Sequence, residues 1–220
     1  MNGFKLKNTL TVYYLTRTSI GDIMDIILAN GAPFSGKDTL VNQLLKMFDD
    51  SVYIRFKNPL YKRFSERHNI PFDEVVEMCT GRKKDEPNER IGGLIPRQVL
   101  IDISENEIKP QDGPDGVALR VIEEMLDMEE HGRKTFIFPD SGFEEEKEAF
   151  LRILPRYGLN RIITIRIVRD GCNYEDQKDS RKYLKNPCLI VDNNVDESHL
   201  PEEERGLHML EQFIDWYAKN

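Results

Sequence analysis

The sequence predicts an α/β fold, a five-stranded parallel sheet covered by helices on both faces. Two observations carry that expectation. Short apolar runs alternate along the chain with stretches whose apolar residues recur every three or four positions. The first such run, Ile26-Ile27-Leu28-Ala29, also feeds a glycine-bounded loop, Gly31-Ala32-Pro33-Phe34-Ser35-Gly36-Lys37, and then an amphipathic helix.

Taken in order, residues 1–23 hold one strand-like stretch, Leu10–Leu15. They are expected to be an extension dispensable for folding, with Met24 as an alternative start, before a domain spanning 24–220. Their apolar stretch is too short and poorly flanked for a signal peptide. Leu40, Val41, Leu44, Leu45 and Phe48 share one helical face, so a helix begins near Lys37. Val52–Phe56 reads as the second strand. Pro59 suits the first turn of a helix bearing Lys62, Arg63 and Arg67, and Asp73 is expected to cap the next, which stops at Gly81. Arg82–Arg90 reads as a polar loop. Pro96 opens a helix with Val99, Leu100 and Ile103 inward, and Lys109–Gly116 is a turn-rich break. A helix with Val117, Val121 and Met125 follows, then a third strand at Thr135–Pro139 and a helix over Glu144–Leu154. Ile162–Val168 and Cys188–Val191 are the last two strands, and Glu202–Lys219 is a closing helix. A helical insertion is placed at about 60–116 and a short lid at about 170–185.

The glycine loop fits G-x-x-x-x-G-K, the phosphate-binding motif. A loop entering a helix aims unpaired backbone N–H groups and the positive end of the helix dipole at one spot. Glycine lets the backbone curl round phosphate oxygens there. Gly31, Phe34, Ser35, Gly36, Lys37, Asp38 and Thr39 are therefore the expected nucleotide-phosphate residues, Lys37 reaching the outer phosphates as a point charge. The residue after the lysine is ordinarily Ser or Thr and binds Mg²⁺; here it is Asp38. Two roles stay open for it: a hard-oxygen ligand to Mg²⁺, or negative charge for the first helical turn. Asp140 ends the third strand, at the sheet edge where open α/β sheets bind ligands. It has the form of a Walker B carboxylate, holding Mg²⁺ through water or orienting an attacking oxygen; the alternative is a cap for the next helix. Arg97 lies in the first turn of the Pro96 helix, where a cation is disfavoured by about 0.3–1 kcal/mol unless an anion is present. It marks a second anion site, with Gln98 beside it. Arg169, ending the fourth strand, and Arg181, in the polar segment, are the expected lid cations.

Composition narrows the classes. The 220 residues carry a net charge of −8 with 32% charged residues, and mean hydropathy is −0.55. That balance argues against non-specific binding to nucleic acid or anionic membrane. Arg55–Arg97 nevertheless holds ten Lys/Arg against seven Asp/Glu, a basic region in an acidic chain. No apolar run approaches the roughly 18 residues that span a bilayer. Cys79, Cys172 and Cys188 lack C-x-x-C spacing and read as free thiols in a reducing compartment, and the four histidines form no metal-ligand pattern. The expected partners are small-molecule nucleotides, with neither nucleic acid nor membrane, and a homodimer is left open; the expected location is the cytoplasm.

Several pieces together resemble the bacteriophage deoxynucleoside monophosphate kinases. SGKDT (Ser35–Thr39) is similar to that family's phosphate loop, where Asp commonly follows Lys. NPLYK (Asn58–Lys62), KKDEP (Lys83–Pro87), IPRQVL (Ile95–Leu100), FPDSGFEEE (Phe138–Glu146) and IVDNNVDESHL (Ile190–Leu200) follow in the family's order. The resemblance covers roughly Met24 to the C-terminus. It implies a P-loop kinase fold with an acceptor-binding helical insertion, Mg²⁺-ATP as donor and a (deoxy)nucleoside monophosphate as acceptor, in a host cytoplasm if the chain is phage-encoded. Arg97 would fall in the motif that binds the acceptor phosphate, with Lys62 and Arg90 as neighbours. Two departures stand out. The family often has Asp-x-Arg after the third strand where this chain has Asp140-Ser141-Gly142, and its usual His-x-Ser-Glu reads here as Asp179-Ser180-Arg181-Lys182. The expected function is ATP-dependent phosphorylation of (deoxy)nucleoside monophosphates to diphosphates. The rivals are a kinase for another small phosphorylated metabolite and a non-catalytic nucleotide-binding protein. A GTPase is disfavoured, because no Asn-Lys-x-Asp segment is present.

Overall fold

A computed structural model describes residues 24–130, 132–157, 160–175 and 181–220. The extension over 1–23, with its strand-like stretch, and the part of the expected lid over 176–180, which includes Lys178, lie outside the described residues. The chain divides into two compact units: the described residues up to Ile54 with Met128–Asn220, and Arg55–Asp127.

The first unit is the sheet. Strand β1 (Met24–Gly31) is buried at every position, which requires strands on both sides and helices above and below. β2 (Ser51–Tyr53), β3 (Thr135–Phe138), β4 (Asn160–Val168) and β5 (Leu189–Asp192) complete a sheet of order β2-β3-β1-β4-β5, with every pairing parallel. The second strand is shorter than the Val52–Phe56 expected, although Ile54 N–H still donates to the Ile137 carbonyl. β2 and β3 lie on one side of β1, β4 and β5 on the other, so the carboxyl end of β1 is the topological switch point.

Helices cover both faces. Ile27, Ala29, Ile137, Ile163 and Ile165 point to one face and pack with Leu40, Val41 and Leu44 of α1 (Lys37–Met47) and Met209, Leu210 and Phe213 of α8 (Leu207–Tyr217). Ile26, Leu28, Phe136 and Phe138 alternate to the other face. There Phe138 meets Phe150 of α7 (Glu144–Ile153) edge-on, ring centres 5.3 Å apart. At the amino end of the sheet, Arg161 donates to both oxygens of buried Asp25, at 3.0 and 3.1 Å, and Tyr217 donates to the same carboxylate, which pins α8.

The second unit is helical: α2 (Asn58–His68), α3 (Phe72–Met78), α4 (Pro96–Asp102), α5 (Lys109–Asp112) and most of α6 (Gly116–Glu130). Its own core gathers Tyr61, Phe64, Val75, Val99, Leu100 and Ile103. Three expectations need correction. Asp73 lies inside the first turn of α3, whose N-cap is Pro71. Lys109–Asp112 is helical instead of part of a turn, reached through a π-helical stretch at Ile103–Ile108. Pro110 accounts for that stretch: it lacks an N–H and its ring would strike the carbonyl four residues back. The wider turn, in which Lys109 N–H donates to Ser104, accommodates it. Finally, the closing helix starts at Leu207, with only a 3₁₀ turn at Glu202–Glu204 before it. Among the described residues no helix is long and apolar enough to cross a membrane.

Candidate functional site

β1 delivers Gly31 to the switch point, and the next residues turn tightly before α1 begins at Lys37. Ser35 N–H donates to the Ala32 carbonyl at 3.1 Å. Gly36 is the N-cap of α1 with φ 91°, a left-handed conformation that glycine adopts without a Cβ penalty. A side chain there is also excluded by space, since a Cβ would lie 2.1 Å from Asn193 Nδ2. No side chain caps α1, so its first N–H groups keep their capacity for an external acceptor. Lys37 rests its ammonium 3.4 Å from the Gly31 carbonyl. Phe34 stands at the loop tip with φ 66°, 85% exposed. The Ser35 hydroxyl is buried and has no hydrogen-bond partner. A hydroxyl left so costs about 1–3 kcal/mol.

The loop is held from behind by polar side chains, of which the sequence singled out Arg169 alone. Asn30 is fully buried at the end of β1. Its amide donates to the carbonyls of Ser141 and Lys182, both at 3.0 Å, and its carbonyl oxygen accepts from Leu184 N–H at 2.9 Å. Tyr174 donates its hydroxyl to the Gly31 carbonyl at 2.7 Å, and Asn193, just after β5, donates to the Ser35 carbonyl at 2.7 Å. Arg169 donates to the Phe34 carbonyl at 3.3 Å. Of the expected lid, therefore, the described flanks are tied down: Tyr174 and Leu184 are buried beside the loop. The signal for Asn30 was available, as an amide directly ending an apolar run. Tyr174 and Ser141 carried none, because their partners lie far away in sequence.

Asp38 is exposed in the first turn of α1, and Thr39 is half-buried beside it. Asp140 follows β3, which is hydrogen-bonded to β1, and Asp38 lies in the first turn of the helix that follows β1, so both acidic candidates come after adjacent strands at the carboxyl edge of the sheet. The capping alternative for Asp140 does not hold, because α7 has Phe143 as N-cap and no side-chain cap bond. Among the described residues no three His, Cys, Asp or Glu side chains group as a self-sufficient metal site. The donor set instead suits Mg²⁺ carried on nucleotide phosphates, which needs only one or two carboxylates from the protein.

In the helical unit, each cation expected to bind the acceptor has a carboxylate partner. Arg97 donates from Nε to Asp85 Oδ1 at 2.5 Å and from Nη2 to Oδ2 at 3.3 Å. That bond holds the Asp85 carboxyl below the usual carboxylate range. Lys62 pairs with Glu124 at 3.0 Å and Arg90 with Glu74. Gln98 is exposed one residue beyond Arg97. The Asp85 carboxylate thus fills the two-pronged face of Arg97 that a phosphate would use. No family model matches this chain, and no curated protein matches it.

Proposed function

We propose that this protein is an ATP-dependent phosphotransferase that converts (deoxy)nucleoside monophosphates to diphosphates. The observation that carries the reading is the Gly31–Lys37 loop. An uncapped helix start, a left-handed Gly36, a buried Ser35 hydroxyl lacking a partner and the Lys37 ammonium meet at the switch point of a parallel sheet. Backbone N–H groups and Ser35 would hold the donor's phosphates, and Lys37 the outermost charge. Asp38 and Asp140 would hold Mg²⁺, which when bound neutralises charge on the donor's phosphate oxygens. The acceptor class rests on the family resemblance and on Arg97, whose forked contact with Asp85 has the geometry for a phosphate.

The reaction needs no protein nucleophile. An acceptor phosphate oxygen bonds to the γ-phosphorus, and the bond from that phosphorus to the β,γ-bridging oxygen breaks, its electron pair leaving with ADP. The chain's residues position the groups and balance their charge. Small-molecule nucleotides in the cytoplasm would be its substrates. The test is diphosphate formation from Mg²⁺-ATP and a panel of ribo- and deoxyribonucleoside monophosphates. Transfer is expected to at least one acceptor and to fall by about 10³-fold or more in Lys37→Ala. Tight ATP binding without transfer to any nucleotide would discard the reading in favour of another phosphorylated metabolite or a nucleotide-sensing role.

A further inference from the structure

Arg181 has an unusual seat. If Gly142 carried a Cβ, that atom would lie 2.7 Å from Arg181 Cβ, 2.7 Å from Cγ and 2.8 Å from Cδ. The arginine's aliphatic stem is therefore laid flat on the bare backbone of residue 142, and any side chain there would displace it. Gly142 φ is not in the left-handed region, so room for Arg181, not backbone freedom, is what requires glycine.

The seat is fixed on both sides. Lys182 N–H donates to the Gly142 carbonyl at 2.9 Å. The Lys182 carbonyl accepts from Asn30, whose own carbonyl oxygen accepts from Leu184 N–H. Asn30 also donates to the Ser141 carbonyl. The segment Arg181–Leu184 is thus stitched to the turn after β3, which carries Asp140, and to the last residue before the Gly31–Lys37 loop. A long cationic side chain normally surrenders up to ~2 kcal/mol of conformational entropy when it is ordered. Here much of that loss has been met by packing and by the backbone bonds of its neighbours. An arginine whose stem is already held at the turn after β3 is the kind of device that transition-state charge stabilisation calls for, because little reorganisation is then needed during the reaction.

We infer that Arg181 is a preorganised cation of the phosphoryl-transfer site, contacting the phosphate oxygens as charge shifts from γ-phosphorus to ADP, and that Gly142 is bare in order to seat it. This rests on the phosphotransferase reading above. It replaces a mobile-lid role for Arg181 with a fixed one.

The experiment compares wild type, Arg181→Met, Arg181→Ala, Gly142→Ala and the Gly142→Ala/Arg181→Ala double variant. Readouts are kcat, affinity for a non-hydrolysable ATP analogue, and thermal midpoint. Arg181→Met keeps an apolar stem over Gly142 and removes the charge. It is expected to lower kcat by about 10²–10⁴-fold, with analogue affinity within a fewfold and the midpoint unchanged. Millimolar guanidinium should partly restore kcat to Arg181→Ala. Gly142→Ala should also lower kcat, and the double variant should be no worse than Arg181→Ala, since both changes remove one feature. Undiminished kcat in Arg181→Met, absence of guanidinium rescue, or multiplicative losses in the double variant would each overturn the inference. If the wild-type chain transfers phosphate to no acceptor, it is the functional reading that has failed, an outcome separate from all of these.

Discussion

The two units handle polar groups in opposite ways. In the sheet unit the amides around the loop are buried and bonded to backbone: Asn30 to Ser141, Lys182 and Leu184, and Asn193 to Ser35. In the helical unit the cations sit at the surface against carboxylates: Arg97 on Asp85, Arg63 on Glu107, Lys62 on Glu124. A buried amide bond is hard to exchange, because a polar atom left without its partner pays full desolvation. An exposed ion pair is worth about 0–1 kcal/mol and yields readily to a better anion. Under the proposed function, the contrast would match a fixed donor site in the sheet unit and an exchangeable acceptor site in the helical one.

The largest test of that contrast is Asn30→Asp. The shape is kept, but the donor facing the Ser141 and Lys182 carbonyls becomes a carboxylate oxygen. Loss of about 3 kcal/mol or more of stability is expected, read as the shift in urea unfolding free energy. A change under about 1 kcal/mol would show that the amide network is no more rigid than a surface pair, and the comparison would collapse.

A smaller effect is expected at Asp85. With both partners about half exposed, Asp85→Asn should alter stability by less than about 1 kcal/mol. If the carboxylate stands in for the acceptor's phosphate, its removal should lower the acceptor KM by up to about fivefold, the equivalent of such a pair, with kcat unchanged. A raised KM would mean that Asp85 orients Arg97 instead of competing for it.

Much of the sheet unit was legible in the sequence. Ile26–Ala29 must be doubly buried, and a glycine loop followed by Leu40, Val41 and Leu44 can only enter a helix. These are local patterns. In the cradle behind the loop Asn30 carried a local signal; its partners did not, because they lie 111 and more residues away. Gly142 is the clearest instance. In sequence it looks like an arginine lost after Asp140, whereas in the fold the stem of Arg181 lies over it. The helical unit was misjudged at Lys109–Asp112 for the converse reason: Pro110 and Gly113 are strong local turn signals, overridden by the π-helical turn and by packing of Ile103 and Ile108.

The finest test concerns His68, the exception within the helical unit. Its Nε2 is buried with no hydrogen-bond partner, and its ring lies 5.0 Å from Phe64. Burial, with the neighbouring Arg67 charge, pushes the His68 pKa below its ordinary value. The folded state therefore binds fewer protons at this group than the unfolded one. Stability from His68 is present above the unfolded pKa of about 6.5 and is lost as pH falls through the folded value. The imidazole proton resonance of His68 should titrate with a midpoint below about 6.5, and the urea midpoint should drop less on acidification in His68→Gln than in wild type. A midpoint above 6.5 would mean that His68 is held as a cation by an acidic neighbour. It would then follow the surface-pair rule of its unit, and the division between the two units would be cleaner than the buried Nε2 suggests.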